Sequence, residues 1–209
     1  MLKVINVSKS FEEKQVLRGA SMEIREGEIV GLFGTSGCGK STLARIICSL
    51  ETADSGSVEY SGAPLSIQMV YQQPFSVLDP VQKIRSGFKE LISYHKMPFE
   101  GDIDTYLDAL AEDVELDRDI LNHLPHQISG GEAQRIAIIK SLLFRPKLLI
   151  LDEASSMLDV STQANILGYI KAKMNASGGS ILMVSHDGAL IDFYCNRVYT
   201  VENKTLKEK

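Results

Sequence analysis

The chain has 209 residues, 44% of them hydrophobic and 23% charged, with 27 acidic against 22 basic side chains for a net charge of −5. That composition is near the globular average and excludes disordered and fibrous classes, while the acidic balance argues against a nucleic-acid partner. No apolar run approaches the roughly 18–20 residues of a transmembrane helix, the start Met1-Leu2-Lys3-Val4-Ile5-Asn6 lacks a signal-peptide pattern, and Cys38, Cys48 and Cys195 are scattered without metal-ligand spacing, so the expectation is a soluble intracellular protein with reduced thiols.

In chain order, Lys3–Val7 and Ala20–Ile24 alternate or carry turn residues, as does Gly56–Tyr60, which predicts a small antiparallel sheet at the N-terminal side. Four continuous apolar runs, Ile29–Phe33, Met69–Tyr71, Leu148–Leu151 and Ile181–Val184, predict strands of a parallel sheet covered on both faces. After Lys40, Leu43, Ile46, Ile47 and Leu50 fall at helical spacing. A second helix is expected from about 131 to 144, with Ala133, Ile136, Ile138 and Leu142 on its apolar side, and a third from about 161 to 174. From about Pro80 to His126 the pattern is helical, with charged stretches at Glu100–Asp104 and Glu112–Asp119 and no buried-strand run. The reading is one α/β domain, with a core of about 1–79 and 127–209 and an inserted helical lobe of about 80–126.

Gly34-Thr35-Ser36-Gly37-Cys38-Gly39-Lys40-Ser41 matches G-x-x-x-x-G-K-[ST] in full, after a predicted strand and at the start of a predicted helix. Glycines let the backbone amides turn inward and the helix N-terminus adds positive potential. Lys40 can then reach the β/γ-phosphates and the Ser41 hydroxyl suits Mg²⁺, while Cys38 is a small side chain that fits the loop. The loop alone implies a P-loop NTPase. A GTPase should add Asn-Lys-x-Asp, and the nearest match, Asn203-Lys204-Thr205-Leu206, lacks the Asp and lies in the terminal tail.

The run Leu148–Leu151 ends in Asp152 and Glu153. At the carboxyl edge of a parallel sheet these would face the phosphate loop, Asp152 suited to Mg²⁺, directly or through water, and Glu153 to orienting or deprotonating an attacking water. Ser129-Gly130-Gly131-Glu132 precedes a helix and offers either a second anion site or a plain N-cap by Ser129.

On these motifs the chain resembles the ATP-binding subunit of an ATP-binding cassette (ABC) transporter, over essentially its whole length. The Walker A loop is Gly34–Ser41 and the Walker B strand Leu148–Asp152; Ile128–Glu132 departs from the family's Leu-Ser-Gly-Gly-Gln signature at both ends but keeps its centre. Gln72 resembles the Q-loop glutamine, Ser156–Asp159 the D-loop and Ser185-His186-Asp187 the switch-histidine motif. The resemblance implies a P-loop NTPase fold with a RecA-like parallel core, an N-terminal antiparallel β subdomain and an inserted helical lobe. It implies ATP and Mg²⁺ as ligands, with Glu153, His186 and Lys40 as catalytic residues. Phe11 would stack on adenine with Val16 beneath the base, and Gly34, Thr35, Ser36, Gly37, Cys38, Gly39, Lys40, Ser41, Thr42 and Gln72 would complete the nucleotide-binding set. Ser41, Gln72 and Asp152 would hold the metal. Ser129, Gly130, Gly131, Glu132 and Asp159 would contact the nucleotide of a second subunit.

Gln72–Pro80 and Leu158–Leu167 resemble the importer branch for oligopeptides, dipeptides, nickel and metal–chelator complexes. The resemblance implies a peripheral subunit on the cytoplasmic face of the membrane, working with permease subunits, a second ATPase subunit (a related chain or itself) and, indirectly, a solute-binding protein. The chain stops soon after Val201, which weakens a peptide-specific assignment. An export ATPase and a soluble non-transport ABC ATPase remain as alternatives.

Overall fold

The apolar run Ile29–Phe33 forms a strand buried along almost its whole length in the computed structural model, which describes residues 1–154 and 157–209. Before it come β1 (Leu2–Phe11) and β2 (Lys14–Ile24); the run itself is β3, followed by α1 (Lys40–Ile47), β4 (Ser55–Tyr60) and β5 (Ile67–Val70). Then follow α2 (Ile84–Tyr94), α3 (Ile103–Asp113), α4 (Gly130–Leu143), β6 (Leu148–Asp152), α5 (Val160–Ala176), β7 (Ser180–Ser185), α6 (Gly188–Tyr194), β8 (Arg197–Glu202) and β9 (Thr205–Glu208). The chain divides into two units, Met1–Met69 with Pro146–Glu153 and Met174–Lys209, and Val70–Arg145 with Ala154–Lys173.

The first unit carries two sheets. The larger has the order β5-β6-β7-β3-β8-β9, with β3 parallel to β7 and β8, and β6 parallel to β7. Every residue of β6 and β7 is buried, as continuous apolar runs require of strands covered on both faces. Leu32, Leu148, Leu149, Ile150 and Leu182 are fully sequestered, each worth about 1.5–3 kcal/mol relative to exposure. Asp152 pairs across from Val184 and Phe33 from Ser185, so the carboxyl ends of β6, β7 and β3 lie side by side.

The smaller sheet is antiparallel, in the order β2-β1-β4. The expected strands Lys3–Val7 and Ala20–Ile24 are parts of a longer hairpin, because register shifts between Val4 and Ser10 break the two-residue alternation that marks a strand. Gly56 (φ +85°) is obligatory here, since a Cβ would come within 2.4 Å of the Asn6 carbonyl oxygen.

Three further expectations are corrected. Leu50 does not continue α1. The helix ends in a Schellman-type closure, with Ser49 at φ +59° and the Leu50 amide donating to the Arg45 carbonyl, and Leu50 is exposed. Helix α4 has no single apolar side: Ala133, Gln134, Ile136, Ala137, Ile138, Ile139, Ser141 and Leu143 are buried around its circumference, and Leu142 is only half-buried. Asn203 and Lys204 are not in a loose tail. Both have positive φ (49° and 69°) and form the two-residue loop between the antiparallel β8 and β9, which join the main sheet.

The second unit is helical and contains the stretch expected as a lobe, 80–126. Its acidic run is not merely solvated. Arg85 of α2 donates to Asp104 (3.1 Å) and Asp108 (2.6 Å) of α3 and to Asn122, and Lys89 donates to Asp104 at 2.7 Å. These charge-assisted bonds tie α2 to α3 and hold the Asp104 carboxyl below the usual carboxylate range, Lys89 contributing most.

Candidate functional site

In the first unit the turn from β3 into α1 is built from residues 34–39. Gly39 sits at φ +112°, and a Cβ there would lie 2.9 Å from Val16 Cγ1 and 3.0 Å from Leu17 Cδ2, so β2 presses directly on the loop. A Cβ on Gly34 would meet the Cys38 sulfur at 2.8 Å, which makes Cys38 a packing element of the loop, half-buried beneath it. Lys40 is 4% exposed and its Nζ donates to the carbonyls of Gly34 (2.8 Å) and Thr35 (2.9 Å). Its ammonium is thus folded back inside its own loop, held by neutral oxygens. Ser36 and Gly37 are exposed at the tip, and Thr42 is half-buried on α1.

At the carboxyl edge of β6, Asp152 Oδ1 accepts from Ser41 Oγ at 2.9 Å. Asp152 is 4% exposed, and burial pushes its carboxyl pKa up against the opposing pull of the Ser41 hydroxyl. A buried carboxylate in that condition favours a cation. Mg²⁺ takes hard oxygen donors, usually from one or two protein groups with waters and phosphates completing the shell. The Ser41–Asp152 pair fits that pattern, and among the described residues no group of three or more His, Cys, Asp or Glu forms an all-protein metal cage.

The next residue, Glu153, lies in the left-handed region (φ 51°), while its amide still donates to the Val184 carbonyl at 3.0 Å. Its carboxylate meets His186 Nδ1 at 3.0 Å. Backbone strain of this kind is found both in tight turns and at functional sites. Ser185 and Asp187 support the turn that carries His186: the Asp187 amide donates to Ser185 Oγ (3.0 Å), and Asp187 Oδ1 accepts from the Leu190 amide at the start of α6. These two supporting roles were not assigned from sequence, although the Ser-His-Asp triplet carried the signal. Phe11 ends β1 as a 45% exposed aromatic, and Val16 lies at the beginning of β2.

The second unit holds the remaining candidates. Gln72 is exposed in a bend after β5. Ser129 caps α4 in a reciprocal capping box: the Glu132 amide donates to Ser129 Oγ (3.3 Å), and the Glu132 carboxylate accepts from the Ser129 amide (2.7 Å) and hydroxyl (2.8 Å). A Cβ on Gly130 would stand 3.1 Å from Met157 Sδ, and one on Gly131 would stand 3.4 Å from the Met157 carbonyl, so the start of α4 abuts the 157–159 segment. Asp159 Oδ1 accepts from the Ser161 and Thr162 amides at 3.1 and 3.0 Å. Ser156 lies outside the described residues.

Residues 17–156 match the family model described as ABC transporter. The chain belongs to that family, as an ATP-binding domain. It is 33% identical over 214 residues to the nickel import ATP-binding protein NikE of Escherichia coli O6:K15:H31 (strain 536 / UPEC), covering 96% of this chain and 80% of the relative. The protein of the same name from Escherichia coli O157:H7 is 34% identical over 218 residues, with the same coverage. Among solved structures, the dimeric ATP-binding cassette MJ0796 in a post-hydrolysis state with ADP and Pi superposes with a TM-score of 0.87, at 26% identity and over 100% of this chain and 98% of that one. For CbiO1 from Clostridium perfringens the TM-score is 0.77 at 23% identity, over 99% and 86% of the two chains, a likeness of fold. ABC transporter ATP-binding domains bind and hydrolyse ATP, and this domain is therefore an ATPase with the expected α/β architecture.

The capping box gives a structural role to Glu132, one of the two residues at which Ile128–Glu132 departs from the family's pattern. The Ser129 amide, and then its hydroxyl, hold the Glu132 carboxyl below its usual pKa. A lowered carboxylate pKa stabilises the fold above the unfolded value of about 4.3, and the contribution disappears as pH falls through the lower folded value. Glu132→Gln should therefore lower stability at pH 7 by about 0.3–1 kcal/mol, the scale of a charge at a helix N-terminus. In urea denaturation the gap between the two proteins should narrow progressively as pH falls below the unfolded value; a gap that does not change with pH would remove the carboxylate charge as its source.

Proposed function

We propose that this ABC ATPase powers the import of a small solute, nickel, a peptide or a metal–chelator complex, through membrane permease subunits. The observation that carries the import reading is the 33% identity, over 96% of the chain, to nickel import ATP-binding proteins. The subunit would sit peripherally on the cytoplasmic face; among the described residues no helix is long and apolar enough to cross a membrane.

In this reading two ATPase subunits close head to tail, and the dimeric form of MJ0796 supports such a pairing. Backbone amides of 34–39 cradle the phosphates, and Lys40 exchanges its two loop carbonyls for phosphate oxygens, which neutralise its buried charge. Ser41 and Asp152 would hold Mg²⁺, which would offset phosphate charge. Glu153 takes a proton from water as the water oxygen bonds to the γ-phosphorus and the bond to ADP breaks, while His186 holds the Glu153 carboxylate in place. Ser129, Gly130, Gly131 and Asp159 serve the nucleotide of the other subunit. In the second unit a groove of about 420 Å³ with an apolar floor of Leu78, Ile84, Phe88 and Leu91 would receive a cytoplasmic helix of the permease.

The experiment is reconstitution in proteoliposomes with the permease subunits and the second ATPase chain. ATP turnover should rise above that of the isolated subunit and rise again when a solute-loaded binding protein is added. Ser129→Arg should retain ATP binding yet lose the stimulated turnover. Stimulation without solute uptake into the ATP side would overturn the import reading and favour export; failure to assemble with any permease would favour a soluble ATPase.

A further inference from the structure

The ring of Phe11 is not simply left in solvent. The ammonium of Lys9 lies 5.0 Å from its centroid, within the range in which a cation is attracted by the face of an aromatic ring. That ammonium is itself tightly fixed. It meets Glu51 Oε1 at 2.6 Å and Asp54 Oδ1 at 3.6 Å, and donates to the Thr52 carbonyl at 2.7 Å. The Lys9 side chain is 11% exposed, whereas Phe11 is 45% exposed. The three acceptors all come from the turn that follows α1. That turn is fastened to β1 a second time, by the Ser10 amide donating to Asp54 Oδ2 (2.7 Å) and the Asp54 amide donating to the Ser8 carbonyl (2.9 Å). Helix α1 carries Lys40 and Ser41 at its other end. One short, stiff helix therefore runs from the phosphate loop to the clasp that holds Lys9 against Phe11.

We propose that Lys9 is a positioning residue for the nucleotide base: the Glu51–Thr52–Asp54 clasp fixes its ammonium against the Phe11 ring and so presets that ring, at a fixed distance from the phosphate loop, to stack on adenine. The inference rests on the reading of Phe11 as the adenine-stacking residue. Stacking is stronger on a ring already in place, because an exposed aromatic free to rotate loses that freedom on binding. A salt bridge that served only the fold would leave base recognition untouched.

Affinities of the full chain for ATP and for inorganic tripolyphosphate separate these roles, since tripolyphosphate has charge but no base. Phe11→Ala should weaken ATP about 5- to 150-fold, the range for loss of one stacked base, and leave tripolyphosphate unchanged. Lys9→Met should weaken ATP about 3- to 10-fold. Because it bares Glu51 and Asp54, Lys9→Met/Glu51→Gln is measured beside it, and the ATP loss should persist there with tripolyphosphate affinity restored. Lys9→Arg, which keeps a cation over the ring, should retain near-wild-type ATP affinity. Adding Lys9→Met/Glu51→Gln to Phe11→Ala should cost nothing further. Equal loss for both ligands in every Lys9 variant, or full additivity with Phe11→Ala, would reduce Lys9 to a structural clip. An unaltered ATP affinity in Phe11→Ala would instead overturn the stacking role of Phe11 and the inference with it.

Discussion

Glu153→Gln should bind MgATP and hydrolyse it roughly 10²- to 10⁴-fold more slowly, the usual contribution of a positioned general base. The amide keeps the size of the side chain and can still meet His186 Nδ1, which stands 3.0 Å from the carboxylate. It cannot accept a proton from water. The backbone at φ 51° is equally uncommon for Glu and Gln, so the substitution does not alter strain, and thermal stability should be nearly unchanged. With chemistry blocked, closure around ATP no longer ends in hydrolysis, and a nucleotide-bound dimer should accumulate. Size-exclusion chromatography with MgATP, alone and with the second ATPase chain, reads this directly. Wild-type turnover with no trapped dimer in either mixture would remove Glu153 from the catalytic role. His186→Ala should act differently: it leaves the base in place but removes its contact with Nδ1, so turnover falls while the pH profile keeps its shape.

What could be read from the sequence follows the range of the interactions involved. The phosphate loop and the strands at 29–33, 148–152 and 180–185 are local and strongly patterned: fixed glycine spacing, then short continuous apolar runs of the kind that strands buried on both faces carry. The carboxyl-edge position of Asp152 follows from the same run, and its bond to Ser41, 111 residues away, follows from parallel pairing. Other features depend on neighbours that sequence does not name. Helix α4 has no apolar side because partners surround it, and periodicity is blind to a helix buried all round. The β1–β2 hairpin looked shorter because bulges interrupt its alternation. Helix α6, with seven residues, is too short for a periodic signal, and Asn203-Lys204 was tested as part of a base-reading motif when its chemistry is that of a tight turn. Glu132 looked like a defect in a signature; its geometry is that of a helix cap. The cation against Phe11 is hidden from the sequence for the same reason. Lys9 is close in sequence, but the carbonyl and carboxylates that fix it come from more than 40 residues away.

Lys40→Ala should reduce ATP affinity the most among single changes in the loop. The ammonium is 4% exposed and held at 2.8 and 2.9 Å by the carbonyls of Gly34 and Thr35, so its hydrogen bonds are to neutral oxygens before nucleotide arrives. Each charge-assisted hydrogen bond it gains to phosphate is worth about 1.5–3 kcal/mol, or roughly 10- to 150-fold in affinity. The loop backbone and the helix N-terminus remain without it, so weak binding of the triphosphate should survive. The fold should also survive. The lost bonds are to carbonyls at the loop, and Gly39 and Cys38 pack against β2 and Gly34 without using the lysine. Lys40→Met, which fills nearly the same volume, controls for the cavity that alanine leaves. Both variants should melt close to wild type without nucleotide, yet show little of the ATP-induced rise in melting temperature that tight binding produces. Turnover measured with the membrane partners present should fall in parallel. Equal ATPase rates in mutant and wild type in that assembly would sink the assignment of residues 34–41 as the phosphate site.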